Sequence, residues 1–199
     1  MRAVMPEVPP EILAWRKRTG ADMWDEMWEG VLHMAPVPNR HHQDLEWSME
    51  TYLRLRWARP SGNRVYHNIN VASPGGWPNN YRIPDLVLLT PKRFGIDRNE
   101  YFEGAPDVVV EIRSPGDESY EKLEFYAQLG VPEVWIIERD SKAPEIYVLQ
   151  AGRYMQKAAS AEGWVLSDVT DIELRIGHPG KLAMRLAGDD STREDLPED

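Results

Sequence analysis

The chain contains no cysteine. Disulfide staples, thiolate metal sites and a cysteine nucleophile are therefore all excluded. Histidine is scarce, five in 199 residues, which leaves little with which to build a zinc hydrolase site on imidazoles. No apolar run approaches the ~20 residues of a membrane helix. The opening residues, Met1-Arg2-Ala3-Val4-Met5-Pro6-Glu7, lack the apolar stretch of a signal peptide. A cytoplasmic protein with no membrane partner is expected. A phosphate loop is also missing: Gly75-Gly76 is followed by Trp77-Pro78 and not by Gly-Lys-Ser/Thr, so it reads as a turn.

Basic charge is in deficit, with a formal net charge of −10. Residues 189–199 hold six acids against Arg193, a net −5, which leaves about −5 for the preceding 188 residues. The last stretch reads as a disordered acidic tail and residues 1–188 as one domain. A mildly acidic body neither predicts nor excludes nucleic acid as a partner.

What is present is turn-rich: 16 prolines and 14 glycines, suited to many short elements. A helix is expected from Pro9 to Lys17, and a β-hairpin from Met23 to Met34 turning at Glu29-Gly30, ended by Pro36-Val37-Pro38-Asn39. From His41 to Trp57, Leu45, Met49, Tyr52 and Leu53 recur at helical spacing. Strands are expected at Arg64–Val71, Arg82–Leu89, Asp107–Arg113 and Glu133–Glu138. A helix should run from Glu118 to Leu129, closed by Gly130, and a second hairpin should cover residues 144–158. The order gives an α/β (α+β) fold, a mixed sheet flanked by helices with a hairpin at each margin.

The strand Asp107-Val108-Val109-Val110-Glu111-Ile112-Arg113 is the most informative segment. Alternation puts Val108, Val110 and Ile112 on one face and Asp107, Val109, Glu111 and Arg113 on the other. A glutamate in such a strand places a costly charge in the sheet interior. Asp107 cannot share a cation with it, because four residues of strand separate them by about 13 Å; Asp107 is expected to cap the loop before its strand. Asp85, on a neighbouring strand only ~4.8 Å away, can converge with Glu111. Two carboxylates, waters and the Ile112 carbonyl suit Mg²⁺ or Mn²⁺. Taken singly, Glu111 reads equally well as an ion-pair partner and Asp85 as a turn residue. Arg113, two residues beyond Glu111, keeps a positive charge where a lysine would assist phosphodiester cleavage.

Further marks stand in fixed order: Trp28-Glu29-Gly30; Ala35-Pro36-Val37-Pro38 then His42-Gln43; Ile83-Pro84-Asp85-Leu86-Val87; Gly104-Ala105-Pro106-Asp107-Val108-Val109-Val110-Glu111-Ile112 with Ser114-Pro115; and Lys122, Tyr126 and Gly130-Val131-Pro132-Glu133-Val134-Trp135-Ile136. Together they resemble a bacterial family of restriction-endonuclease-like proteins, expanded in cyanobacteria, within the PD-(D/E)XK nuclease superfamily. The resemblance covers about residues 9–154. It implies a restriction-endonuclease-like core, and it implies that the catalytic lysine has moved onto the following helix, which maps to Lys122. A helix histidine lining the site maps to His42, with Glu29 and Tyr126 as further candidate lining residues. On the residues alone, Lys122 reads as a solvated helix charge and His42 as a local cap.

The expected function is that of a Mg²⁺- or Mn²⁺-dependent endodeoxyribonuclease acting on DNA, with Asp85, Glu111, Lys122 and Arg113 as its working residues and a homodimer as its form. The alternatives are a non-catalytic module of the same fold that binds nucleic acid or protein, and a hydrolase of small phosphoesters.

Overall fold

The computed structural model describes residues 3–5, 8–35 and 37–197. Pro36, Glu198, Asp199 and parts of the Met1–Glu7 stretch, all used in the sequence reading, lie outside them. After β1 (Ala3–Met5), Pro10 opens α1 (Pro10–Thr19), which Gly20 closes in a left-handed conformation. The hairpin β2 (Asp25–Trp28) and β3 (Val31–Met34) turns through Glu29 and Gly30 at φ 52° and 86°. Positive φ at both central residues matches the right-handed twist of the paired strands.

Asn39 caps α2 (Arg40–Leu53), its side chain accepting from the His42 N–H at 3.0 Å. The helix loosens into a π-helical turn at Arg54–Ala58 and ends through α3 (Arg59–Ser61). The next two expected strands are each divided. Arg64–Val71 becomes β4 (Arg64–His67) and β5 (Asn70–Ala72), interrupted at Asn68, which stands at φ 49°. Arg82–Leu89 becomes β6 (Tyr81–Arg82) and β7 (Leu86–Leu89), interrupted by Pro84, which has no N–H for a ladder.

Then come β8 (Tyr101–Glu103), β9 (Val108–Arg113), α4 (Lys122–Leu129), β10 (Glu133–Glu138), β11 (Pro144–Gln150) and β12 (Arg153–Gln156). The helix starts four residues later than expected, because Asp117 instead ties Ser114 and Ser119 N–H groups into a turn. Beyond the reach of the sequence reading lie β13 (Val165–Leu166), β14 (Ile172–Ile176), β15 (Leu182–Leu186) and β16 (Asp189–Leu196).

These strands form three sheets, ordered β1-β3-β2-β6-β5-β8, β12-β11-β10-β9-β7-β4 and β13-β14-β15-β16. The expected mixed α+β architecture is present: β9 and β10 run parallel, whereas β7 pairs antiparallel with β9. In the central sheet, Val108, Val110 and Ile112 pack with α2 and the third sheet in one apolar cluster. Val109 faces the other way, among Phe125 and Tyr126 of α4. No described helix is long and apolar enough to cross a membrane.

The acidic tail expectation is corrected by β16. Its charges are matched by Arg185 to Asp190 at 2.5 Å and Arg56 to Glu194 at 3.0 Å. Leu196 is 1% exposed within the main cluster, and Tyr52 donates to the Thr192 carbonyl at 3.1 Å. Ion pairing and one buried leucine hold as an edge strand what composition alone describes as solvated.

Candidate active site

A cleft of about 430 Å³ opens where the first hairpin, the start of α2, the end of β9 and the start of α4 meet. Asp85 sits immediately before β7, and β7 pairs with β9 through Leu86 to Val110. Continuing that register sets Asp85 level with Glu111. Asp85 Oδ2 accepts from the Ile112 N–H at 2.5 Å, and Oδ1 lies 2.8 Å from His42 Nε2.

Glu111 is 3% exposed. Its Oε1 accepts from the Tyr126 hydroxyl at 2.6 Å and its Oε2 from Lys122 Nζ at 3.0 Å. Lys122 therefore does not reach solvent as helix lysines usually do: its ammonium also lies 2.8 Å from Glu26 Oε1. Glu26 is fixed in turn by the Trp28 indole N–H at 2.7 Å and the Ile83 N–H at 2.8 Å.

Burial, reinforced by the Asp85 and Glu26 carboxylates, pushes the Glu111 carboxyl up to about 8 against the pull of Lys122 and Tyr126. Burial opposes the Lys122 ammonium, but Glu111 and Glu26 overcome it and hold the amine above its ordinary value. Burial likewise opposes a charged His42, and the Asp85 carboxylate reverses that so that the ring protonates more readily than usual. Glu46, four residues along α2 from His42, is raised to about 7 by burial and by Asp85.

Among the described residues, His42, Glu46 and Asp85 each offer a ligand atom within 4.8 Å of the others. Four carboxylates, Glu26, Glu46, Asp85 and Glu111, thus share a desolvated region with the Lys122 ammonium and the His42 ring. Excess buried negative charge on hard oxygen donors fits a divalent cation such as Mg²⁺ or Mn²⁺. The residues present fit the group that the superfamily resemblance implies.

The family model described as Uma2, "putative restriction endonuclease", matches residues 9–178. The chain belongs to this family. The crystal structure of a putative nuclease belonging to DUF820 from Anabaena variabilis ATCC 29413 aligns with a TM-score of 0.62 at 18% identity, covering 76% of this chain and 87% of that one. At that identity the likeness speaks for the fold. No curated protein matches the chain.

Within this Uma2 chain, Asp85, Glu111, Ile112, Lys122 and His42 all line the cleft, and Tyr126 reaches it through Glu111. Two expected residues do not come in. Arg113 shares the Glu111 face of β9, but the strand end carries it outward, where it pairs with Glu138 at 2.5 Å and covers the Tyr120 ring. Glu29 is an exposed turn residue that borders a separate hollow beside Arg82 and Phe125. Asp107 accepts from the Thr90 N–H at 2.6 Å and from Arg93, so it holds the loop after β7 and stands away from the cleft.

Sequence reasoning missed Glu26, Glu46 and the pair His33–Glu118. The i, i+4 spacing of His42 and Glu46 on a capped helix carried a signal for one of them. Glu26 gave none, since it joins the site only through the fold.

Proposed function

We propose that this Uma2-family chain is a divalent-cation-dependent endodeoxyribonuclease. The observation that carries the reading is the convergence of Asp85, Glu111 and Lys122 in one cleft, with Lys122 Nζ 3.0 Å from the Glu111 carboxylate. Asp85 and Glu111 are the carboxylates that would hold Mg²⁺ or Mn²⁺, with the Ile112 carbonyl and Glu46 or His42 completing the donor set. When bound, the cation supplies Lewis-acid charge to the scissile phosphate and lowers the pKa of a water.

The chain's own groups do the rest. Lys122, kept charged by its two carboxylate neighbours, orients the phosphate or the attacking water and offsets charge that develops at phosphorus. Tyr126 and the Ile112 N–H fix the rotamers of Glu111 and Asp85. His42 steadies the free oxygen of Asp85. DNA is the proposed substrate, and a homodimer the proposed working form, because cutting both strands of a duplex takes two sites.

Calorimetric titration of Mn²⁺ into wild type and Asp85→Ala, with plasmid nicking run in parallel, tests this reading. Saturable binding and nicking that both disappear in the variant are expected. Nicking that survives in Asp85→Ala or Glu111→Ala sinks the assignment. One observation favours a second reading, a module that binds without cutting: the strand slot two residues after Glu111 holds Arg113, which is engaged elsewhere. Saturable DNA binding with no metal-dependent nicking would select it.

A further inference from the structure

The nuclease reading leaves open which group moves the proton. Lys122 is fixed as an ammonium between Glu26 and Glu111. Both oxygens of Asp85 and both of Glu111 already accept hydrogen bonds or face a cation. His42, which also lines the cleft, has its Nε2 engaged by Asp85, and the Arg139 guanidinium is no base; His33 on β3 lines the same cleft. It lies directly across the hairpin from Glu26 in the β2–β3 register.

The His33 ring is held on two sides. It stacks on Trp28 at 4.1 Å with an interplanar angle of 10°. Its Nδ1 lies 2.9 and 3.1 Å from the two oxygens of Glu118, at the turn before α4. An ionised carboxylate only accepts, so the neutral ring carries its proton on Nδ1 and keeps its lone pair on Nε2. Among the described residues Nε2 makes no hydrogen bond. A base oriented from behind by a carboxylate, with its second nitrogen open, is the arrangement that activates a nucleophile.

We propose that His33 is the proton-transfer residue of this site, with Glu118 positioning its ring; the proposal rests on the nuclease reading above. Nε2 takes a proton from the attacking water as the oxygen–phosphorus bond forms and one phosphorus–ester oxygen bond breaks. The departing oxygen takes a proton from solvent, and the imidazolium then returns its proton to solvent. The products are one phosphate monoester end and one hydroxyl end. The charged groups around the ring are Glu118 on Nδ1, Glu26 across the hairpin, Lys122 beyond Glu26, and Arg82 on the Trp28 ring; Val4 of β1 pairs with His33 and adds no charge.

The test is single-turnover cleavage of a DNA duplex by the full chain at saturating Mn²⁺, across about pH 5.5 to 9, for wild type, His33→Ala and Glu118→Gln. General-base catalysis contributes about 10²–10⁴-fold, so His33→Ala should lose at least ~10²-fold. It should also lose the acidic limb of the profile, bind Mn²⁺ as wild type does, and regain activity when imidazole is added. Glu118→Gln should lose less than His33→Ala and bind Mn²⁺ as wild type does, because the ring keeps its open nitrogen and loses only the carboxylate that orients it. Should His33→Ala fail to fold, His33→Asn keeps a planar polar group against Trp28 and serves the same comparison.

A loss that imidazole does not restore and that leaves the profile unchanged would make His33 a prop for the hairpin and overturn the proposal. So would undiminished cleavage. A wild type that never cuts brings down the nuclease reading and this proposal with it.

Discussion

The Tyr126 hydroxyl donates to Glu111 Oε1 at 2.6 Å, a buried hydrogen bond from α4 to the end of β9. Hydrogen bonds to charged groups contribute about 1.5–3 kcal/mol, and this one favours the ionised carboxyl that a cation needs. Tyr126→Phe should therefore weaken Mn²⁺ binding near neutral pH by about tenfold or more, equivalent to ~1.4 kcal/mol. Calorimetric titration reads this directly. Unchanged affinity would remove Glu111 from the ligand set.

Stability without metal should fall with rising pH through this site. Burial raises Glu111 to about 8 and Glu46 to about 7 from an ordinary 4.5. Over that window the folded chain binds more protons than the unfolded one, so stability is full below about 4.5 and is lost as pH rises through 7 and then 8. Urea unfolding at both ends of the window should show Glu111→Gln losing less stability than wild type. Mn²⁺ should protect wild type more at the alkaline end, since ligands must shed their protons to bind. Parallel stability curves for the two proteins would contradict this account.

Removing the Lys122 ammonium leaves Glu26 and Glu111 facing each other across a buried gap. Breaking a buried pair from one side costs about 3–5 kcal/mol, and Lys122→Met should cost that much above neutral pH. Adding Glu26→Gln removes one of the stranded charges. The double variant should be more stable than the sum of its single effects by at least ~1 kcal/mol, measured by denaturant unfolding. Simple additivity would mean that the two groups do not couple.

Arg113 is the contrasting case. Its guanidinium is committed to Glu138 and the Tyr120 ring outside the cleft. Arg113→Ala and Arg113→Lys should cleave within about twofold of wild type, ~0.4 kcal/mol on the barrier. A loss as large as that of Asp85→Ala would return Arg113 to the reacting centre.

The alternation of β9 was legible because every residue from Val108 to Ile112 is buried and the period of a strand is fixed. The same geometry brought Asp85 to Glu111 from strand adjacency alone. Lys122 needed the family resemblance, since a lysine in the first turn of a helix looks solvated until Glu26 is known to face it. Glu26, Glu46 and His33 owe their places to packing between elements far apart in sequence, which periodicity does not encode. The divided strands were read as continuous because Asn68 and Pro84 break a ladder only locally and leave the apolar pattern unbroken. The third sheet escaped notice because β16, Asp-Asp-Ser-Thr-Arg-Glu-Asp-Leu, has the composition of a tail and gains its order from partners on β15 and α2.

The two divided segments also join two sheets. Each leaves one sheet and joins the next at its break, so the first and central sheets are two plates joined along the line where Asp85 stands. Glu26 and His33 ride on one plate, Asp85 and Glu111 on the other. Across the gap run two pins, Lys122–Glu26 at 2.8 Å and His33–Glu118 at 2.9 Å, one from the first residue of α4 and one from the turn before it. One ion pair and one histidine–carboxylate contact thus tie the two plates together. Both pins come from one short stretch of chain, residues 118–122, so a single segment ties the plate that carries Glu26 and His33 to the plate that carries Glu111.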